Sequence, residues 1–382
     1  MRRTTVVDPQ LASVVHPPSA DRALATYAAM QEHLYVSRQM SLYRESAPVG
    51  GGNPFAFVWP HSRALLGTLA LAGMPANLLG GLDVNSAVKD RVDALTWYWD
   101  GRAYASYVMP PYGGGGDRYA DDNAWVGLAL LQQYRMGLST SLKRPQQVFA
   151  YLRSAHWDRA TGGLFWVQQG VGFGLRNHDR GGGATAGGAE LGFLLHELTG
   201  SNTYDFAVAM VNWVQSVLDG SRGGVGPFLN AVRADGSVDT NLWSYNQGVM
   251  IGAHVLQHRL SGDAVALQRA EGIARQALKT FGDFTRQPPS FNAMCMQNML
   301  TLCSVTPDAQ LRSRIFDVMR RYADWTWDPA SGARDERTNL FYFADDGRPN
   351  RGHQPARLQD QGAMLQLYAL LAWDEANYRL LT

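Results

Sequence analysis

Apolar residues recur at three- and four-residue steps along most of this chain, and the strict alternation of a surface strand is scarce. Leu24, Tyr27, Ala28, Leu34 and Tyr35 form the first such stripe and predict a helix over 21–38. The same periodicity predicts helices over 60–71, 84–99, 122–136, 142–156, 184–198, 204–218, 242–259, 264–281, 290–303, 308–325 and 356–373. Short links such as 137–140, 198–201 and 260–263 join neighbours as antiparallel hairpins. A glycine turn at 50–52 leads through Phe55 to Trp59 into the second helix. Longer loops rich in Gly, Trp and Asp lie between the hairpins, as at 99–101, 156–166, 218–220 and 327–329.

These loops recur at intervals of about 45 to 65 residues, an internal period of the helical-hairpin type. About six hairpins of that length suit an all-α closed ring, with an open solenoid as the rival arrangement. In a ring, inner helices begin where the long loops end, so loops and inner N-termini share one face. Trp59-Pro60-His61, Phe165-Trp166 and Trp243 to Gly248 all fall on that face. Aromatic rings and amide side chains there are what pyranose recognition asks for.

The same face carries Asp121 and Asp122, which follow the glycine run 113–116 and open the helix predicted from 122. An Asp at a helix mouth is a natural N-cap, and the helix dipole favours its charge. Two adjacent carboxylates there stand about 5–6 Å apart, close to the separation in a retaining glycosidase. Like charges at that distance couple, so one proton is held above the ordinary Asp range. One group can then serve as acid while the other stays a nucleophile, and the sequence leaves open which is which.

Composition narrows the partners. With 46% hydrophobic and 18% charged residues, the 382-residue chain carries enough apolar material for one large domain, expected over 21–382 behind an extension at 1–20. A net charge of +1 argues against nucleic acid as a partner. No run approaches a transmembrane length. The basic start, Met1 to Pro9, lacks the apolar centre of a leader, so the address expected is cytoplasmic as given, or secreted if a leader was removed. Cys295 and Cys303 sit eight apart on one predicted helix, roughly 12 Å and too far to bridge.

Other motifs are set aside. His254 and His258 have i, i+4 spacing but no following Glu and no third ligand, so no metal is expected. Asp345-Asp346-Gly347 reads as turn chemistry. Neither Gly113 to Gly116 nor Gly170 to Gly174 has the context of a phosphate or dinucleotide loop.

Tyr119 to Trp125, Trp243 to Gly248 and Gly162-Gly163-Leu164-Phe165-Trp166 together resemble glycoside hydrolase family 76, the α-1,6-mannanases. The resemblance covers most of the chain outside the first twenty residues. It implies an (α/α)6 barrel and a retaining hydrolysis, expected to be endo-acting, of α-1,6-linked mannan or manno-oligosaccharide. It implies Asp121 as nucleophile, Asp122 as acid/base, and no cofactor; the protein is expected to be a monomer. Tyr245, Asn246 and Gln247 would shape the mannose subsites, with Trp166, Asn177, Asn230 and, from its place after Trp59-Pro60, His61.

Two departures bear on those subsites. The family's Asp-Gly pair is replaced by Asn230-Ala231, and its Asn-Ala-x-Ser-Asn run by the stretch from Asn177 into the glycines at 181–188. The rival readings are a mannan transglycosylase, a mannan-binding barrel without turnover, and a histidine-based epimerase.

Overall fold

Twelve α-helices carry the described chain, which in this computed structural model comprises residues 17–37, 39–48 and 53–382. In order they are α1 (Pro17–His33), α2 (Val58–Ala72), α3 (Val84–Ala94), α4 (Ala120–Arg135), α5 (Lys143–Tyr151) and α6 (Gly182–Thr199). Then follow α7 (Tyr204–Leu218), α8 (Ser244–Ser261), α9 (Ala264–Phe281), α10 (Pro289–Cys303), α11 (Ala309–Trp327) and α12 (Leu358–Leu370).

Even-numbered helices form the inner ring. Each packs on the next, from α2 through α4, α6, α8 and α10 to α12, and α12 closes on α2. Odd-numbered helices lie outside, with α3, α5, α7, α9, α11 and α1 against α2, α4, α6, α8, α10 and α12. The α12–α2 contact excludes an open solenoid, and the fold is an (α/α)6 barrel.

Sequence explains the division into layers. Inner helices are apolar around most of their circumference, as a helix with neighbours on every side requires. Two glycines let α2 and α12 meet backbone to backbone: a Cβ at Gly67 would lie 2.8 Å from Gly362 O, and one at Gly362 would lie 2.6 Å from Arg63 C. Three outer helices start on an aspartate cap, Asp83, Asp263 and Asp308, each accepting a first-turn N–H. No inner helix has a side-chain cap.

The first N–H of an inner helix is held by the next loop around the ring instead. Val58 N donates to Ser106 O, Ala120 N to Trp166 O, Gly182 N to Asn230 O and Leu358 N to Glu45 O, at 2.8–2.9 Å. Ser244 N donates to Gln287 Oε1 at 2.9 Å. The sixth inner helix begins with Pro289, which has no N–H to hold. Short antiparallel pairings stiffen these loops, with Ser46–Ala47 on Ala356–Arg357, and Arg180–Gly181, Ala231–Val232 and Val238–Asp239 side by side.

Boundaries differ from the periodicity where backbone geometry changes. The first helix starts at Pro17 and ends at His33, after which Tyr35–Ser37 pairs with Leu42–Tyr43. The expected domain start at 21 therefore falls inside α1, whose Ala20 and Ala23 are buried. The segment 84–99 leaves α3 for a 3-10 turn at Leu95–Tyr98, and 142–156 ends in a π turn at Leu152–His156. The glycine turn at 50–52 and residues 1–16 lie outside the described residues. Cys295 and Cys303 are free and buried.

Candidate active site

All six inner helices begin around one cleft. Two lobes of about 470 and 420 Å³ meet there, sharing Trp59, Asp121, Trp166, Tyr245 and Phe291. Position within the first turn decides what each residue does. Second residues face the cleft: Trp59, Asp121, Tyr245, Ser290 and Gln359 line it, and the sixth, Gly183, lies against the Tyr245 ring. Fourth residues point away and clamp the loop leading into their own helix or the adjacent outer helix. Asn123 grips the backbone N–H and C=O of Tyr104, Gln247 those of Phe228 and Gln361 those of Phe341, all at 2.8–3.0 Å. Asn292 donates to Phe284 O, Thr185 accepts from Leu164 N, and His61 Nε2 meets Arg91 O.

Asp121 and Asp122 are the second and third residues of α4, partly exposed at the cleft floor and ringed by protein. Neither is the N-cap; Tyr119 occupies that position. Their environments are unequal. Asp121 Oδ2 accepts the indole N–H of Trp166 at 2.9 Å, and Oδ1 accepts the Asp122 backbone N–H at 3.0 Å. Asp122 accepts no side-chain hydrogen bond among the described residues. Desolvation pushes Asp121 up to about 6 against these two donors. Asp122 rises well above the ordinary range, first through desolvation and then through the Asp121 charge, with Arg63 opposing.

Tyr245 walls the cleft with its ring 4.4 Å from Phe291, and its hydroxyl donates to Asn230 Oδ1 at 3.4 Å. Trp59 is fixed by its indole N–H on Gln359 Oε1 at 3.1 Å. The larger lobe also carries a charged pair in its wall. Arg357 pairs there with buried Asp360 at 2.9 Å and with exposed Asp345.

The structure thus brings Asp121, Asp122, Trp166, Asn230 and Tyr245 together and sends the other expected subsite residues elsewhere. His61 is fully buried, because the fourth residue of α2 faces α3 rather than the cleft. Gln247 is buried on the Phe228 backbone. Asn246 is buried, with Nδ2 3.5 Å from Asn230 Oδ1, and does not line the cleft. Asn177 bonds Asp179 and Gln169 at the rim. Phe291, Gln359, Asp179, Asp239, Asp345 and Arg357 line the cleft and were missed. For Phe291 and Gln359 the signal was available, since they hold the same first-turn positions as the Asp pair. Asp345 does sit in a turn, as its sequence suggests, but that turn also lines the cleft. Among the described residues no cluster of three or more His, Cys, Asp or Glu could hold a metal ion.

A family 76 mannosidase from Bacteroides thetaiotaomicron superposes with a TM-score of 0.76 at 22% identity, covering 93% of this chain and 98% of that one. An inactive double-aspartate variant of the α-1,6-mannanase GH76A of Salegentibacter, in complex with α-1,6-mannotriose, gives 0.72 at 15%, covering 93% and 99%. Dfg5 from Chaetomium thermophilum, in complex with glucosamine, gives 0.66 at 16%, covering 93% and 90%. No curated protein sequence is a significant match. The family model described as Glycosyl hydrolase family 76 matches residues 28–374, nearly the whole described chain, and the protein belongs to that family of glycoside hydrolases.

Proposed function

We propose that this glycoside hydrolase is a retaining mannanase that cuts α-1,6-linked mannan internally. The observation that carries the reading is the unequal hydrogen bonding of two acids in one cleft. Asp121, with two donors, is the better anion and hence the nucleophile; Asp122, with none, keeps its proton and is the acid. In the first half, Asp122 protonates the glycosidic oxygen while Asp121 Oδ forms a bond to the anomeric carbon and the glycosidic bond breaks. In the second, Asp122 takes a proton from water, the water oxygen attacks the anomeric carbon and the Asp121 ester breaks. Trp59, Tyr245 and Phe291 offer apolar surface to sugar faces.

The α-1,6 linkage is supported by the mannotriose complex of the Salegentibacter mannanase. Internal cutting is supported by the two lobes that meet at Asp121, which give room for sugar on both sides of the scissile bond. Incubation with linear α-1,6-mannan, followed by sizing of products over time, is the test. A ladder of oligomers is expected; mannose alone would replace internal cutting with end trimming, and no product from any mannan would end the reading. Adding a manno-oligosaccharide acceptor to the same assay separates hydrolysis from transfer, since elongated products form only by transfer.

A further inference from the structure

The two acids do not open onto the same space. Asp121 lines both lobes of the cleft, whereas Asp122 lines the smaller lobe and not the larger. In a retaining reaction the acid must reach the glycosidic oxygen, which departs with the leaving sugar. The nucleophile must reach the anomeric carbon, which stays behind. With Asp122 facing one lobe alone, the leaving oxygen and the sugar that carries it belong in that lobe. The sugars that remain on Asp121 in the glycosyl-enzyme then occupy the larger one.

Side-chain chemistry divides the lobes in the same way. Asp179, Asn230, Asp239, Arg357 and Gln359 line the larger lobe only, and all can address sugar hydroxyls. Phe57, Ser106, Tyr119, Asp122 and Trp125 line the smaller lobe only, and three of these five are aromatic. Contact there is made chiefly with the flat faces of sugar rings.

The way inner helices start explains how Phe57 comes to stand in that wall. An N-cap ordinarily favours Ser, Thr, Asp or Asn, but here the next loop holds the first N–H and frees the N-cap side chain. All six N-cap residues line the cleft, Gly181, Trp243, Pro288 and Arg357 in the larger lobe and Phe57 and Tyr119 in the smaller. Phe57 is 38% exposed, whereas Trp125 is 3% exposed and the Tyr119 ring lies 4.9 Å from that of Trp166. The Phe57 backbone is fixed on both sides, its N–H donating to Glu45 Oε2 at 2.9 Å and its carbonyl accepting from His61 N at 3.1 Å. Its ring rests on Tyr107 with centroids 5.2 Å apart. An accessible ring held this firmly loses little freedom when a ligand covers it.

We propose that the smaller lobe is the leaving-group subsite and that Phe57 is its specificity-determining residue, the ring on which the departing sugar stacks. It rests on the reading of the Asp pair given above. Asp122 gives its proton to the oxygen of the sugar held there, the bond from that oxygen to the anomeric carbon breaks, and the sugar leaves as an alcohol. Because a ring face rather than a hydroxyl pattern is recognised, the lobe accepts pyranoses of different configuration at the departing position.

Two substrates of the whole protein test this. Linear α-1,6-mannan places sugar on both sides of the scissile bond. In an α-1,6-linked mannotriosyl fluoride the leaving group is a fluoride ion, with no sugar to enter the smaller lobe. In Phe57→Ala the KM for mannan is expected to rise about three- to tenfold with kcat nearly unchanged, since the lost contact serves ground and transition states alike. For the fluoride, kcat/KM is expected to stay at the wild-type level. Phe57→Tyr keeps a ring face and should keep the wild-type KM for mannan. Equal losses on both substrates would overturn the proposal, because they would put Phe57 on the retained side or in the fold alone. An unmoved KM for mannan would overturn it as well. If Phe57→Ala fails to fold, Phe57→Leu, with apolar bulk but no ring face, carries the same comparison. A wild type inert towards mannan and fluoride alike would end the mannanase reading and this proposal with it. With an active wild type, the contrast between the two substrates decides the role of Phe57 by itself.

Discussion

Trp166 donates its indole N–H to Asp121 Oδ2 at 2.9 Å, while its own carbonyl accepts the first N–H of α4 at 2.8 Å. One residue of the α5–α6 loop thus anchors the mouth of α4 and solvates the carboxylate that the helix presents. A hydrogen bond to a charged group contributes about 1.5–3 kcal/mol, which is roughly one to two pH units on the group it stabilises. The donor favours the anion, so its loss raises the Asp121 pKa. In Trp166→Phe the acid limb of kcat/KM is expected to move upward from about 6 by that amount. An unmoved acid limb would detach Trp166 from the nucleophile.

Asp122 has the opposite signature, with no donor to hold it as an anion. As the acid it should matter most when the leaving group is poor. Asp122→Ala is expected to lose about 10²–10⁴-fold in kcat/KM on mannan. It should retain much more of its activity on an aryl mannoside whose leaving group needs no proton, and added azide should accelerate turnover. Asp121→Ala is expected to be inactive on both substrates. Rescue of Asp121→Ala rather than Asp122→Ala would exchange the two roles.

Gln247 binds both backbone groups of Phe228 in a site sealed from solvent. Replacing it by Leu strands a buried N–H and a buried C=O, each costing about 1–3 kcal/mol. The expected result is a clear drop in the thermal midpoint, with KM for mannan changing little in the fraction that stays folded. A subsite residue would give the reverse, so thermal unfolding and KM on the same preparation decide between them.

The barrel was legible because its hairpins differ so plainly from their connections. Tyr204–Leu218 and Ala264–Phe281 are the spans their apolar periodicity predicts. The Asp pair was legible because two charges at a helix mouth are conspicuous. Their inequality was not, since the donors to Asp121 are a tryptophan 45 positions away and a backbone N–H that only the folded turn aims. Nor was the fate of His61 and Gln247 visible in residue type alone. Imidazole and amide groups suit sugar hydroxyls and backbone groups equally, and a rotation of two residues along the first turn separates the cleft from the clamp. Asp345 and Arg357 reach the cleft through loop geometry that no local pattern encodes.

The buried ionisable groups also predict how stability depends on pH. Glu190 and Asp122 are held well above their ordinary values in the folded state. Between the unfolded and folded pKa of such an acid, the native state binds more protons than the unfolded one, so stability falls as pH rises. His61, His156 and His254 are shifted the other way, from 6.5 to about 4 by burial, so their share of stability increases with pH across that interval and is complete above it. Above about pH 6.5 the histidines no longer contribute a slope, and the acids dominate among these groups. The thermal midpoint is therefore expected to decline from pH 6.5 to 8.5. Glu190→Gln removes one source of that decline and brings an amide N–H beside Asn298 Oδ1, a buried oxygen without a partner, so the variant should show a shallower slope and a higher midpoint than wild type at pH 8.5. Circular dichroism melts at half-unit steps would measure it. Parallel curves for the two proteins would mean that Glu190 does not keep its proton across this range.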